Sequence, residues 1–519
     1  MYQVLLQFYS INLYLALVCG TLPLDLALYR KDPAEPQKAP GLMGRATGKA
    51  LAYGNQIGTK LLSYEVAKVK IPDQSQAISA GLGRGQANAT NMKITQFNGP
   101  NFWYRLRSPH NVTWGTVGGD ARIVGDWSMR YKALVTIRGS GTFTVLARGI
   151  RMQMSGYLGR TDEGKAHVQA FGCSVRIDYL DVSVSGGIVG WLIDRFSGKI
   201  EDQLRSVLST QVCSEGTKLI NARANAELSA LPAMVPINPV LVFDYRLLKA
   251  PLVSSQYIET YQAGEISWKG EDKTPFHPPP IDGDAQNDRM IYFWASDYVL
   301  NSLLYAGYAH DVLQFLASNQ TTPQISPYLR TSCPSSRMCL GSAFYQIKRR
   351  YPNETASAYI RAAGMPYANI SSGKLWLRAN LTGDIFIERL NGSLIPLFTF
   401  TVSFNGSIAP ALEDLKVTGA FKIEKLSVRI TNSSVGRISP LEVDLFLLVV
   451  EPFLQKAVNS YVRHGIPLPN LPNVQYEQPM LQLLDRTVQV SMDLRYCPTV
   501  DNILMCFQYD PAKNHNLLP

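Results

Sequence analysis

The chain has 519 residues, 46% of them apolar and only 17% charged, against about 25% charged in average globular proteins. That length suffices for two or three domains with separate cores, and the apolar content excludes a disordered polyelectrolyte. The formal charge of +10 excludes an acidic chain and points toward an anionic partner.

The first segment, Val4 to Val18, is mostly apolar and leads into Val18-Cys19-Gly20. It reads as a secretory signal over residues 1–20. Residues 21–40 hold Pro33, Pro36 and Pro40 and read as a flexible leader. No later stretch reaches the roughly 20 apolar residues of a membrane span. A helix is then expected from Gly41 to Lys70, because Ala46, Ala50, Tyr53, Ile57, Leu61 and Tyr64 recur at three- and four-residue steps. Gly44/Gly48 and Gly54/Gly58 form two small-residue pairs on another face of it.

From about Gln86 to Ser185 the period changes to two, as in Val175, Ile177 and Tyr179, which predicts half-buried antiparallel strands. A second helix is expected from Gly190 to Val212, with Leu192, Phe196, Ile200, Leu204 and Leu208 at four-residue steps. Pro275, Pro278, Pro279 and Pro280 mark a stiff spacer. A helix over 297–317 follows, including Val299, Leu303, Leu304 and Val312. Strands come next, with Phe398, Phe400, Val402 and Phe404 alternating with polar residues, and then a last helix from Leu441 to Val462.

Helix, sheet and helix thus occur twice in the same order, which reads as a duplicated unit. The boundaries are a first half over 41–266, a Pro-rich linker over 267–285, a second half over 286–496 and an extension over 497–519. The fold class is α+β, each half a highly twisted antiparallel half-barrel wrapped around long amphipathic helices. The interior between helix stripe and sheet must be filled by side chains or by a ligand. Ala50, Tyr53, Ile57 and Leu61 of the first helix, and Leu192, Phe196, Ile200 and Leu204 of the second, are the candidate lining.

Of seven cysteines, Cys19 falls in the signal and six remain. Cys333/Cys339 and Cys497/Cys506 are spaced to close small loops, which leaves Cys173 and Cys213 as a long-range pair. None has the C-x-x-C spacing of a zinc site. Nine N-x-[ST] sequons, at Asn88, Asn111, Asn319, Asn353, Asn369, Asn380, Asn391, Asn405 and Asn432, fit a secreted glycoprotein.

The excess charge lies wholly before residue 271. Residues 84–151 hold ten basic side chains, Arg130, Lys132 and Arg138 among them, against only Asp120 and Asp126. Such a field suits anionic lipid headgroups. A nucleic-acid partner is not expected, since no recognition helix carries the charge. No H-E-x-x-H, G-x-S-x-G or phosphate-loop sequence is present and the six histidines are scattered, so neither enzymatic activity nor a cofactor or metal is expected.

Pro40-Gly41, Lys70-Ile71-Pro72-Asp73, Gly190-Trp191-Leu192-Ile193-Asp194-Arg195-Phe196, Pro278-Pro279-Pro280, Ser296-Asp297-Tyr298 and Gly465-Ile466-Pro467-Leu468-Pro469 follow one another in this order. With these motifs in place the chain resembles the family of bactericidal/permeability-increasing protein, lipopolysaccharide-binding protein and the phospholipid and cholesteryl ester transfer proteins. The resemblance covers roughly residues 40–496. It implies a boomerang of two barrels joined by a central sheet, one phospholipid-sized apolar pocket per barrel and a Cys173–Cys213 disulfide. The family's lysine-dense tip lines up near Trp127–Gly139, where only Arg130, Lys132 and Arg138 are basic. The expected function is that of a secreted, monomeric lipid-binding or lipid-transfer protein. Its partners would be phospholipid and anionic membrane surfaces. The alternative is an innate-immune protein that binds lipopolysaccharide.

Overall fold

The computed structural model describes residues 39–513 except 67–70, 72, 81–82, 133, 187–200, 203–204, 207–208, 211, 215, 271–273, 284–285, 324, 372, 390–391, 414–415, 464, 468–472 and 501–502. The signal segment and the leader up to residue 38 lie outside the described residues.

A central six-stranded sheet is assembled from distant parts of the chain. Its order is Leu252–Val253, Tyr257–Gln262, Leu42–Thr47, Ile291–Ser296, Thr487–Tyr496, Val474–Leu484. Every neighbouring pair is antiparallel. Each half adds a seven-stranded antiparallel sheet, one built within residues 74–185 and the other within 314–467. These are the two half-barrels, and the central sheet joins them.

Among the described residues three long continuous helices serve this frame: α1, Gly48–Val66; α2, Asp297–Ala309; and α3, Pro440–Val462. Helix α1 begins seven residues later than the sequence period predicts, because Leu42–Thr47 is a strand. The Ala46 step fits a helical stripe, but two strand partners complete this segment's backbone bonding, and that tertiary pairing overrides the local period. Gly44 therefore does not share a helix face with Gly48. At its start, a Cβ on Gly41 would lie 2.4 Å from the Ala263 carbonyl oxygen, so only glycine lets the two strands meet.

Helix α2 ends at Ala309 rather than running to 317. Asp311 takes a left-handed φ of 53°, and Gln314–Ala317 becomes an edge strand paired with 358–361. Val312 thus lies past the helix, 50% exposed. The proline segment packs on α2, with Phe276 edge-on to Tyr298 and Tyr305 at 5.7 and 6.0 Å. Helix α3 starts within one residue of its expected position. In the strand Leu394–Glu413, Phe398, Phe400, Val402 and Phe404 are all buried, as their alternation requires.

One device recurs in both halves. On α3, Asn459 accepts from the Phe421 amide at 2.9 Å and donates to its carbonyl at 2.9 Å, while Gln455 accepts from the Ile423 amide at 3.0 Å. In the first half, Asn225 brackets Val168 in the same way at 3.0 and 2.8 Å, and Asn221 accepts from the Ala170 amide at 2.7 Å. A pair of amide side chains four residues apart thus satisfies strand backbone beside a helix in each unit.

At the middle of the central sheet Arg45 and Glu259 form a buried ion pair at 2.7 Å, 4% and 8% exposed. Tyr261 donates to the second Glu259 oxygen at 2.5 Å, and the guanidinium lies 4.2 Å from the Tyr257 ring and 5.0 Å from Trp294. Removing one partner of such a pair strands a buried charge, at a cost of about 3–5 kcal/mol. Glu259→Ala should therefore lower the denaturation midpoint sharply, whereas Asp178→Ala, which breaks an exposed pair with Arg151, should cost under about 1 kcal/mol. Equal, small losses in the two variants would show that the buried pair does not hold the sheet.

Candidate lipid-binding site

The apolar interior of the first half gathers around α1. Ala50, Tyr53 and Ile57 are 0, 1 and 0% exposed. They share one cluster with Trp114, Met154 and Val168 of the half-barrel and with Val490 and Met492 of the central sheet. Leu61 lies on α1, but its side chain is outside the described residues, as are Leu192, Phe196, Ile200 and Leu204. The described residues of the expected second helix, such as 205–206 and 209–210, are helical.

The sequence gives no sign of what the extension does to this cluster. Residues after Tyr496 fold back over α1. The Tyr53 hydroxyl donates to the Phe507 carbonyl at 2.6 Å and accepts from the Tyr496 amide at 2.7 Å. Gln56 donates to the Asp510 carbonyl at 2.8 Å and accepts from its amide at 3.0 Å. Phe507 is 5% exposed, within the same cluster as Tyr53 and Ile57.

The second half contains an apolar cavity of about 40 Å³ between α3 and its sheet. Phe446, Val449, Val450 and Leu454 of α3 face Leu381, Ile385, Phe400 and Val402 across it. Sites for drug-sized ligands span about 300–1,000 Å³. An acyl chain therefore fits here only if α3 parts from the sheet. Among the described residues no side chain lining the cavity carries a charge, which suits a hydrocarbon tail.

Arg130, Lys132 and Arg138 lie at the far end of the first half-barrel, all exposed. Arg130 pairs in register with Arg138, and Lys132 with Arg84, so the four side chains share one face of the sheet. None of the four has an ion-pair partner among the described residues. The hairpin between them presents Leu134, 98% exposed, and Val135, 69% exposed. Arg84 completes the cluster, and only the strand register reveals that it belongs there.

All three cysteine pairings form: Cys173–Cys213, Cys333–Cys339 and Cys497–Cys506. Such bonds persist in oxidising compartments. Among the sequons, Asn319, Asn353, Asn380 and Asn432 are exposed, Asn88, Asn111, Asn369 and Asn405 are half-buried, and Asn391 lies outside the described residues. Among the described residues no helix is long and apolar enough to cross a membrane, and no cluster of metal-ligating side chains is found.

The profile for the N-terminal domain of the LBP / BPI / CETP family matches residues 50–222, and that for its C-terminal domain matches 236–496. This chain belongs to that family. It is 28% identical over 463 residues to the lipopolysaccharide-binding protein of Mus musculus, covering 88% of this chain and 92% of the relative. It is 25% identical over 440 residues to the bactericidal permeability-increasing protein of Rattus norvegicus, covering 83% and 88%. A crystal structure of lipopolysaccharide binding protein superposes with a TM-score of 0.56 at 26% identity, over 89% of this chain and all of the other. The C-terminal family domain stops at residue 496, so the segment clasped to α1 lies beyond it.

Burial pushes the Tyr53 phenol up from its ordinary 10 to about 12, with the Tyr496 amide partly opposing the shift. The fold favours the neutral phenol. Its contribution is therefore intact below pH 10 and is lost as pH rises toward about 12. Tyr53→Phe leaves the Tyr496 amide and the Phe507 carbonyl without that partner, at a cost of about 1–3 kcal/mol. The variant should be less stable at neutral pH, and its stability should fall less steeply across that alkaline window. Parallel stability profiles for the variant and the parent would show that this phenol does not couple to folding.

Proposed function

We propose that this chain is a secreted, non-enzymatic binder of acylated lipids with anionic headgroups, lipopolysaccharide included. The observation that carries the reading is the cluster of Arg84, Arg130, Lys132 and Arg138 on one sheet face around an exposed apolar hairpin. Four like charges without carboxylate partners among the described residues repel one another, and phosphate groups would relieve that repulsion. Ala50, Tyr53, Ile57 and Leu61, with Leu192, Phe196, Ile200 and Leu204, are the proposed acyl-chain wall of the first half. The α3 cavity is the proposed counterpart in the second. The similarity to the mouse lipopolysaccharide-binding protein favours lipopolysaccharide recognition over transfer of neutral lipid. Transfer remains the second reading, supported by the presence of an apolar interior in each half.

The test compares binding of the purified secreted protein to phosphatidylglycerol vesicles, phosphatidylcholine vesicles and lipopolysaccharide. Anionic lipid should bind more tightly. The preference should shrink as salt shortens the screening length from about 30 Å at 0.01 M to about 8 Å at physiological strength. A cation at an anionic surface contributes about 1 kcal/mol. Replacing Arg130, Lys132 and Arg138 by Gln should therefore weaken binding by on the order of 100-fold. Equal binding to neutral and anionic vesicles at low salt overturns the headgroup assignment. Loss of anionic binding with retained phosphatidylcholine uptake in the triple variant separates the surface from the interior.

A further inference from the structure

We infer that residues 503–510 form a latch over α1, so that lipid reaches the apolar interior of the first half only when this segment swings away. The inference rests on the lipid-binding reading above. The chain leaves the central sheet at Tyr496, and the Cys497–Cys506 disulfide closes the intervening loop. That closure returns the chain beside its own starting point. The Phe507 amide donates to the Tyr496 carbonyl at 2.9 Å, and the two rings stack at 6.4 Å.

From there the described residues meet α1 through several groups. Phe507 is buried against the cluster that holds Tyr53 and Ile57. Tyr53 and Gln56 bind the backbone of Phe507 and Asp510. Lys60 lies 5.7 Å from the Phe507 ring and Tyr509 stands edge-on to Tyr53 at 6.3 Å. Between these contacts Leu504 is 64% exposed, and Cys506 and Gln508 are exposed. Met505 and Tyr509 pack half-buried against the same cluster, and Lys49 lies 5.8 Å from the Tyr509 ring. Apart from the bridge between Tyr496 and Phe507, the named contacts are to α1, so the closure can open with the strands of the central sheet still paired. Opening would uncover Tyr53, whose neighbours on the helix are the proposed acyl-chain wall.

The contact that can be removed without touching that wall is Gln56. Gln56→Ala deletes both bonds to Asp510, and Cys497→Ser with Cys506→Ser frees the loop by an independent route. The full secreted chain and both variants are mixed with phosphatidylglycerol vesicles carrying a fluorescent acyl chain, and the uptake rate is followed. Hydrogen exchange is measured on residues 503–510 and on α1. Both variants should show faster exchange in these two segments. Lipid uptake should be roughly tenfold faster, the effect of losing two neutral hydrogen bonds, with the same final lipid content. If the cysteine variant is not secreted, Gln56→Ala decides alone. Uptake at the parent rate in the variants overturns the latch. Uptake of no lipid by any of the proteins removes the function proposed above and this inference with it, so the two failures read differently.

Discussion

The whole arrangement depends on the pairing of Leu42–Thr47 between Tyr257–Gln262 and Ile291–Ser296. The first described strand of the chain sits in the middle of a sheet whose other members come from the end of the first half and both ends of the second. Arg45 and Glu259 meet across that pairing, shielded from water and flanked by Tyr257 and Trp294. Burying two charges is expensive unless their remaining donors and acceptors are satisfied. Here Tyr261 takes the second carboxylate oxygen, and the Gln286 carbonyl accepts from the guanidinium at 3.3 Å. A misregistered strand would leave these groups unpaired, so the ion pair specifies register as much as it adds stability.

The same sheet positions everything discussed as function. Helix α1 follows directly from its central strand and α2 from the next strand over, where buried Asp297 holds Arg486 at 3.0 Å. Strand Thr487–Tyr496 carries the chain out toward α1 and delivers the extension to it. The half-barrels then project from this frame, each with a helix pinned to a strand by paired amides. The basic hairpin belongs to the first half-barrel, well away in sequence from the central strands.

The two proposed lipid contacts have different physics. At the hairpin, exposed cations offer long-range attraction that salt weakens. In the interiors, apolar walls offer burial that salt does not screen. An amphiphile with an anionic head and acyl tails is the ligand class that uses both. The extension adds a third element, the proposed latch, which joins a buried Phe507 ring to the Tyr53 and Gln56 hydrogen bonds.

The sequence by itself determined the α+β class, the inward face of strands such as Phe398 to Phe404, α3 almost to the residue, the three cysteine pairs and the basic stretch. Each of these rests on local periodicity, residue spacing or charge count, which are properties of contiguous chain. Only the tertiary structure decided that Leu42–Thr47 is a strand, because its hydrogen-bond partners lie more than 200 residues away in sequence. It also decided that α2 stops at Ala309, where the chain turns to join a sheet edge. Arg84 joined the basic cluster through strand register, which composition does not encode. The role of the extension was equally hidden, since a side-chain amide such as Gln56 gripping the Asp510 backbone leaves no pattern in either segment alone.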